Sequence, residues 1–306
     1  MSRSQLVEFA QCPAKWLAGG PVREETKSMT FGSVLDCLAT TPEAMAEKFA
    51  VTPELYPATP KKKGDEPEMK EWTSRANFCK DWEAEKEASG LTVVSPAMME
   101  DAKKAFASIN SNTDVASLIS CSQKQVLIVA AWLDEATGIV VPFSALLDLV
   151  PDIASPDWGK MIVDIKTARN GNPAHWTRVI DDSGYDVQGA IYFDLYRAAR
   201  PEEDRTDFVH VIIENTFPFH VVSPPPALSS EFLEWGRAKY KAALRAYCEC
   251  LKTGVWPSYP TVGIRFGKTQ IIGPESCWNY RNCTGMAELK LPEEKPANDG
   301  RVDFNN

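Results

Sequence analysis

The chain has 306 residues, 44% of them hydrophobic, enough for one large core or two smaller ones. Its net charge of -9 and isoelectric point near 5.1 exclude a protein that coats nucleic acid through overall positive charge. Any such contact must come from a local basic surface or from a bound metal. The eight cysteines are few for this length. No segment has the length and apolarity of a signal peptide or a membrane span, so no membrane partner is expected and a reducing cytoplasm, bacterial or of a phage-infected cell, is the expected compartment.

In chain order, Ser2-Arg3-Ser4-Gln5-Leu6 opens a short helix with Leu6, Phe9 and Ala10 at helical spacing. Cys12-Pro13-Ala14-Lys15-Trp16 follows, and Gly19-Gly20-Pro21 marks a turn. Met29 to Ala39 reads as a second helix with Phe31, Val34, Leu35 and Leu38 on one stripe. Gly32, Asp36 and Ala39 lie on another face, and the small neighbours let the Asp36 carboxylate approach a facing sheet closely. Residues 56–70 carry three prolines and a lysine run and read as a mobile surface loop. Helices are expected over about 71–88 and 96–110, which gives a helical N-terminal part over 1–120.

The expected fold class is α/β: a mixed central sheet of four or five strands flanked by helices, its core over 121–260. Val126 to Trp132 reads as a strand, Asp134 to Gly138 as a hairpin turn, Ile139 to Val150 and Lys160 to Lys166 as further strands. Tyr185 to Ala198 is a helix and Phe208 to Glu214 a fourth strand, with Phe219 to Val222 as a candidate extension of the sheet. Leu228 to Leu251 is a long amphipathic helix with Phe232, Trp235, Tyr240, Leu244 and Cys248 near one face. Residues 261–306 are loop-rich.

The chemistry concentrates in this core. Asp148 ends one apolar run and Asp164 ends another, and Lys166 follows Asp164 by two, so Asp164 and Lys166 share a strand face. A carboxylate pair with an adjacent ammonium suits a divalent metal and a phosphate ester. Asp148 and Asp164 are the candidate ligands for Mg²⁺ or Mn²⁺, with the backbone carbonyl of Ile165 as a further oxygen. Lys166 would orient the attacking water and stabilise charge on the phosphate. Gln188 and Tyr192 lie one helical turn apart on one face, suited to a phosphate or a base edge at the site mouth. Plainer readings exist for each: Asp148 as a turn residue before Pro151-Asp152, Asp164 and Lys166 as a surface ion pair, Tyr192 as core. His175, His210 and His220 show no metal spacing and read as structural or surface residues.

The layout resembles that of PD-(D/E)xK nucleases, and within them the RecE-type phage and prophage exonucleases (exodeoxyribonuclease VIII). The resemblance covers most of the chain. It rests on Ser2-Arg3-Ser4-Gln5-Leu6 with Cys12-Pro13-Ala14-Lys15-Trp16, on Phe31-Gly32-Ser33-Val34-Leu35-Asp36-Cys37-Leu38 with Thr41-Pro42-Glu43, and on the hairpin Trp132 to Gly138. It also rests on Leu147-Asp148-Leu149-Val150-Pro151-Asp152, Val163-Asp164-Ile165-Lys166-Thr167, Gly184 to Tyr192 and Trp256-Pro257-Ser258-Tyr259. The resemblance implies a metal-dependent exonuclease acting 5′ to 3′ on double-stranded DNA ends. It implies a ring-shaped homo-oligomer and a single-strand annealing protein as partner for DNA recombination.

The chain departs from that pattern in places. Where the family carries a histidine on the N-terminal helix this chain has Asp36, read as a replacement metal ligand or as a helix-surface acid. The acid of the first core strand is missing, with Gln123, Gln125 and Leu127 in its neighbourhood, and a basic residue two before the first Asp is Leu146. These losses keep open a catalytically weak DNA-end-binding protein of recombination or phage–host conflict. Cys12 with Cys277 and Cys283 resembles part of an iron–sulfur nuclease set. The remaining position is Pro274, so the cluster is the lesser alternative.

Overall fold

The structure is a computed structural model that describes residues 1–20, 26–60, 66–258, 264–266 and 269–271. Helix α1 (Arg3–Gln11) starts at a reciprocal cap: Ser2 Oγ accepts from Gln5 N and Gln5 Oε1 accepts from Ser2 N. Helix α2 (Pro13–Leu17) follows with Pro13 in its first turn, and α3 (Lys27–Thr40) is capped by Thr26. A short α4 (Met45–Lys48) leads to β1 (Phe49–Val51) and β2 (Leu55–Pro57). The 56–70 segment differs from the loop expected of it. Its two ends pair, β2 antiparallel to β3 (Met69–Glu71), while 61–65 lie outside the described residues.

Helix α5 (Asn77–Ala88) starts six residues later than expected, because Met69–Glu71 is strand and Glu54 O accepts from Trp72 N. Strand β4 (Thr92–Val94) pairs parallel with β1, and α6 (Pro96–Ser111) is close to its expected span. The sequence reading missed α7 (Thr113–Ser120), which begins at Asn112, at once the end of α6 and the cap of α7. The 13-residue strands β5 (Ser122–Asp134) and β6 (Ile139–Pro151) form a long antiparallel ribbon. Strand β7 (Met161–Ala168) comes next. Helix α8 (Pro173–Asp182), also missed, leads to α9 (Tyr185–Ala199), β8 (Asp207–Glu214) and α10 (Ser230–Thr253). Strands β9 (Ile264–Phe266) and β10 (Thr269–Ile271) pair antiparallel.

The central sheet has four strands in the order β5-β6-β7-β8, with β7 and β8 parallel and the others antiparallel. Val221 makes only an isolated bridge to Ile213, so Phe219–Val222 fringes the sheet without joining it as a strand. One face carries α3, α6 and α7, where Val34, Leu35, Ala105, Ile109 and Leu118 pack on Leu149, Val163, Ile165 and Val211. The other carries α8, α9 and α10, where Trp176, Phe193 and Leu233 pack on Leu147, Ile162, Phe208 and Ile212. Each fully buried aliphatic or aromatic side chain contributes roughly 1.5–3 kcal/mol.

Helix α1 inserts Leu6 and Phe9 against α9 and α10. Phe9 meets Trp16, Tyr247 and Trp256 edge-on, Trp16 stacks on Trp256 at 5.9 Å, and Pro257 O accepts from Ala14 N. The buried stripe of α10 runs through Leu233, Gly236, Tyr240, Ala243 and Leu244, whereas Trp235, expected on it, is exposed. Cys248 is fully buried, as expected of a core cysteine. No helix among the described residues is long and apolar enough to cross a membrane.

Candidate active site

Strands β6 and β7 pair at Leu149 and Val163 and then part. The next residues along each strand beyond that pair are Asp148 and Asp164. With the ladder open, the Asp148 carboxylate takes the place of a backbone acceptor: Ile165 N donates to Asp148 Oδ2 at 2.8 Å. The parting of the strands is what puts two acids side by side at an opening in the sheet.

Alternation along β7 sends Asp164 and Lys166 to the face that carries α9, and the Lys166 ammonium pairs with Asp164 Oδ2. The surface ion-pair reading is excluded, because the side chains are 16% and 3% exposed. Gln188 Nε2 donates to Asp164 Oδ1 at 2.5 Å, so both oxygens of Asp164 are engaged. Tyr192 is half-buried one turn further along α9, and burial followed by the Asp164 charge pushes its hydroxyl up to about 12.

Asp36 arrives from the opposite layer. Helix α3 approaches β7 so closely that a Cβ on Gly32 would stand 3.0 Å from Thr167 Oγ1. One turn on, half-buried Asp36 accepts from Gln125 Nε2 at 3.3 Å, and the same amide donates to Thr40 Oγ1 at 3.2 Å. Gln125 stands in register opposite Asp148, between the pairs Lys124–Leu149 and Val126–Leu147. Its φ of 52° goes with a gap in the ladder at that residue, within a strand that otherwise continues. A non-glycine residue in this region costs about 1–2 kcal/mol and is common where a side chain must be aimed at a site.

The electrostatics follow from three acids sharing one half-buried place. Burial and then Asp164 raise the Asp148 carboxyl well above the ordinary range, and the same two causes raise Asp36. Burial alone would pull the Lys166 ammonium down, but Asp164 and Asp148 more than offset it and hold its pKa above the usual value. Lys166 therefore stays charged throughout the neutral range. Its ammonium sits 4.9 Å from the centroid of the Tyr185 ring, a further attraction for the cation.

The residues present suit a hard divalent cation: buried and half-buried carboxylates close enough to raise one another's pKa, beside a lysine that lines a cleft. As the side chains stand, no group of three His, Cys, Asp or Glu is assembled into a cation site among the described residues. Asp164 is turned to Lys166 and Gln188, which hold its charge in their place.

A cleft of about 440 Å³ opens over Lys166, Gln188 and Tyr192 and is rimmed by Ser2, Arg3 and Leu146. Arg3 donates to the carbonyls of Ser183 and Gly184, which ties the start of α1 to the start of α9. The sequence reading assigned no chemistry to Tyr185. Its spacing of three from Gln188 and seven from Tyr192 was the available signal for a shared face. The aim of Gln125 depends on one backbone dihedral, for which the sequence carries no signal. His210 is 1% exposed, faces Asp164 across the β7–β8 ladder, and is pushed by burial down to about 4, so it is neutral near pH 7. His175 is exposed on α8. Cys12 is buried, and Cys277 and Cys283 lie outside the described residues.

The profile of a family described as a PDDEXK-like domain of unknown function (DUF3799) matches residues 2–262. Among solved structures, the chain is similar to a Eubacterium rectale protein described as a "putative exonuclease". The two are 16% identical, with 89% of this chain and 90% of that one covered and a TM-score of 0.51. A second structure, SSO0001, is 13% identical over 51% of this chain and 67% of that one, with a TM-score of 0.26. No curated protein matches the chain in sequence. The fold is that of the PD-(D/E)xK nuclease superfamily, α/β with a mixed sheet between helical layers.

Proposed function

The chain belongs to the family of PDDEXK-like domains of unknown function (DUF3799), and on that premise we propose that it is a metal-dependent DNA exonuclease. The observation that supports this reading best is the convergence of Asp148, Asp164 and Lys166 where β6 and β7 part, with Gln188 on Asp164. Asp148, Asp164, the Ile165 carbonyl and, from the other layer, Asp36 would hold Mg²⁺ or Mn²⁺. The metal, when bound, supplies charge neutralisation at the phosphate and a more acidic water.

The chain's own residues supply the rest. Lys166, charged at neutral pH and braced by Tyr185, places a positive charge where the phosphate oxygens gain charge in the transition state. Gln188 fixes the rotamer of Asp164, and Tyr192 lies beside Lys166 and Gln188 in the cleft. Gln125 does the same for Asp36.

The resemblance to RecE-type enzymes supports the finer reading: digestion of linear duplex ends 5′ to 3′, in a ring of like chains, for recombination with a single-strand annealing protein. A cytoplasmic site of action agrees with this. A second reading has its own observation. Asp164 is fully engaged by Lys166 and Gln188, and Asp36 stands where the RecE-type pattern has histidine, which favours a weak DNA-end-binding protein. End-labelled linear duplex incubated with and without Mg²⁺ separates the two. Mg²⁺-dependent release of label from 5′ ends supports the nuclease. Retention of intact duplex, bound but uncut at any metal concentration, supports the end-binder. Asp36→Ala and Asp36→His then test the third acid: cleavage should fall with alanine and recover in part with histidine in Mn²⁺.

A further inference from the structure

A second cleft, of about 590 Å³, lies beyond Lys166 at the end of β7. Thr167, Arg169 and Asn170 form one wall, and His175, Trp176 and Tyr185 form the other. We propose that this cleft binds a backbone phosphate of the nucleic acid strand adjacent to the one at Lys166. The proposal rests on the nuclease reading and adds to it the path of the strand.

Continuity is the first argument. Tyr185 lines both clefts, and its ring contacts the Lys166 ammonium. Thr167 lies on the strand that carries Lys166, and Arg169 follows directly after its end. A chain of phosphates crossing Lys166 therefore passes Tyr185 directly into the second cleft.

Charge is the second. The protein carries a net charge of -9, yet no carboxylate is among the residues lining this cleft. Glu214, the nearest acid on the neighbouring strand, turns Oε1 to Gly171 N at 2.8 Å. Arg169 and His175 are both exposed. Two other arginines of the core, by contrast, are committed to carboxylates: Arg205 to Glu203 and three carbonyls, Arg237 to Asp194 and Glu234. A guanidinium beside a carboxylate-free cleft is matched to a phosphate.

Rigidity is the third. The loop that bears Arg169 is fastened to β8 at both ends, through Gly171 N to Glu214 and Asn215 N to Ala168 O at 2.8 Å. Asn172 N donates to Asn170 Oδ1 at 2.9 Å, which closes the turn. The arginine is thus presented from a braced backbone. The cleft reads phosphate and not base, because the Tyr185 ring is already occupied by Lys166 and by Trp176, stacked on it at 5.8 Å.

The test uses the full chain in EDTA, with a fluorescent single-stranded oligonucleotide followed by anisotropy over a salt series. Arg169→Gln should lower the slope of log affinity against log salt by about 0.7, the loss of one phosphate contact on a single strand. His175→Gln should lower it by less. In Mg²⁺, Arg169→Gln should raise KM for duplex digestion several-fold and more than it lowers kcat. Arg75→Gln, at an exposed arginine in the turn before α5, is the control for charge alone and should leave the slope unchanged. Thermal unfolding of each variant verifies folding. A wild-type slope and KM in Arg169→Gln, in a protein that cuts DNA, overturns the cleft and leaves the nuclease reading standing. An equal fall in Arg75→Gln also overturns it. Loss of inhibition by inorganic phosphate with no change of slope overturns the strand assignment in favour of product phosphate. A wild-type protein that neither binds nor cuts DNA overturns both readings.

Discussion

Replacing Lys166 by methionine keeps most of the side chain's length and apolar stem and removes only the cation. In the folded protein that cation pairs with Asp164, whose side chain is 3% exposed, and lies within electrostatic reach of Asp148. Removing one member of a buried pair leaves an uncompensated charge, which costs about 3–5 kcal/mol. The lower figure applies here, because Gln188 still donates to Asp164 and the carboxylates can take up a proton in place of the lost ammonium. A loss of about 3 kcal/mol lowers Tm by about 6 °C at roughly 2 °C per kcal/mol for a chain of this size. The loss should grow as pH rises. Burial and Asp164 already raise Asp148 and Asp36, Lys166 is a counterweight that lowers both, and without it these two titrate higher still in the folded state. Stability present while they are protonated then disappears as pH climbs through those raised values. Differential scanning calorimetry in EDTA at about pH 5 and about pH 8 measures this directly. Adding Mn²⁺ should restore part of the lost Tm, since a divalent cation replaces the missing charge, while strand cleavage stays abolished. A Lys166→Met protein as stable as the wild type at high pH would mean that the ammonium does not balance the acids, and the electrostatic account of the site would fail.

Asp148→Asn should stabilise the metal-free protein by at least about 2 °C in Tm at about pH 8 and by less at about pH 5. The reason is that burial and Asp164 raise the Asp148 pKa, so its ionisation opposes folding as pH rises, while an amide oxygen still accepts from Ile165 N. Equal gains at both pH values count against that cause. Gln125→Gly should be more stable than Gln125→Ala by about 1 kcal/mol, because glycine accepts the φ of 52° without the Cβ penalty, yet both should lose cleavage through the freed Asp36. Paired urea titrations and rate measurements on the two variants check this. Gly236→Ala should be destabilising by about 1–3 kcal/mol, because its Cβ would stand 2.1 Å from Asp186 O where α10 crosses α9. Displacing α9 moves Gln188, so kcat should fall with Tm; a variant with unchanged Tm would contradict the close crossing.

The sequence by itself determined the parts that depend on local periodicity. The apolar runs over 139–150 and 160–166 pointed to both strands, observed at Ile139–Pro151 and Met161–Ala168, and the strand period of two put Asp164 and Lys166 on a shared face. Ser2 with Gln5 carried the start of α1 in its side-chain chemistry, and the spacing of Gln188 and Tyr192 placed them on one helical face. The short elements were harder to read. Helix α7 has eight residues and α8 ten, too short for a window to separate from noise, and α8 follows a loop of glycine and asparagine. The three-residue β2 and β3 pair with each other across a lysine- and proline-rich stretch that looks like plain loop.

What only the tertiary structure decided is which groups meet. Asp36 and Gln125 lie 89 residues apart in the chain and come together because Gly32 lets α3 press on β7 and because one dihedral turns Gln125 out of its strand. Tyr185 acts on Lys166 through space, from a helix onto a strand. The pairing of β6 and β7 at Leu149 and Val163 alone, which leaves Ile165 N to the Asp148 carboxylate, is likewise a matter of how two strands meet. A periodic pattern records which face of an element is buried. It does not record how far apart two buried faces stand, and the chemistry of this site depends on that spacing.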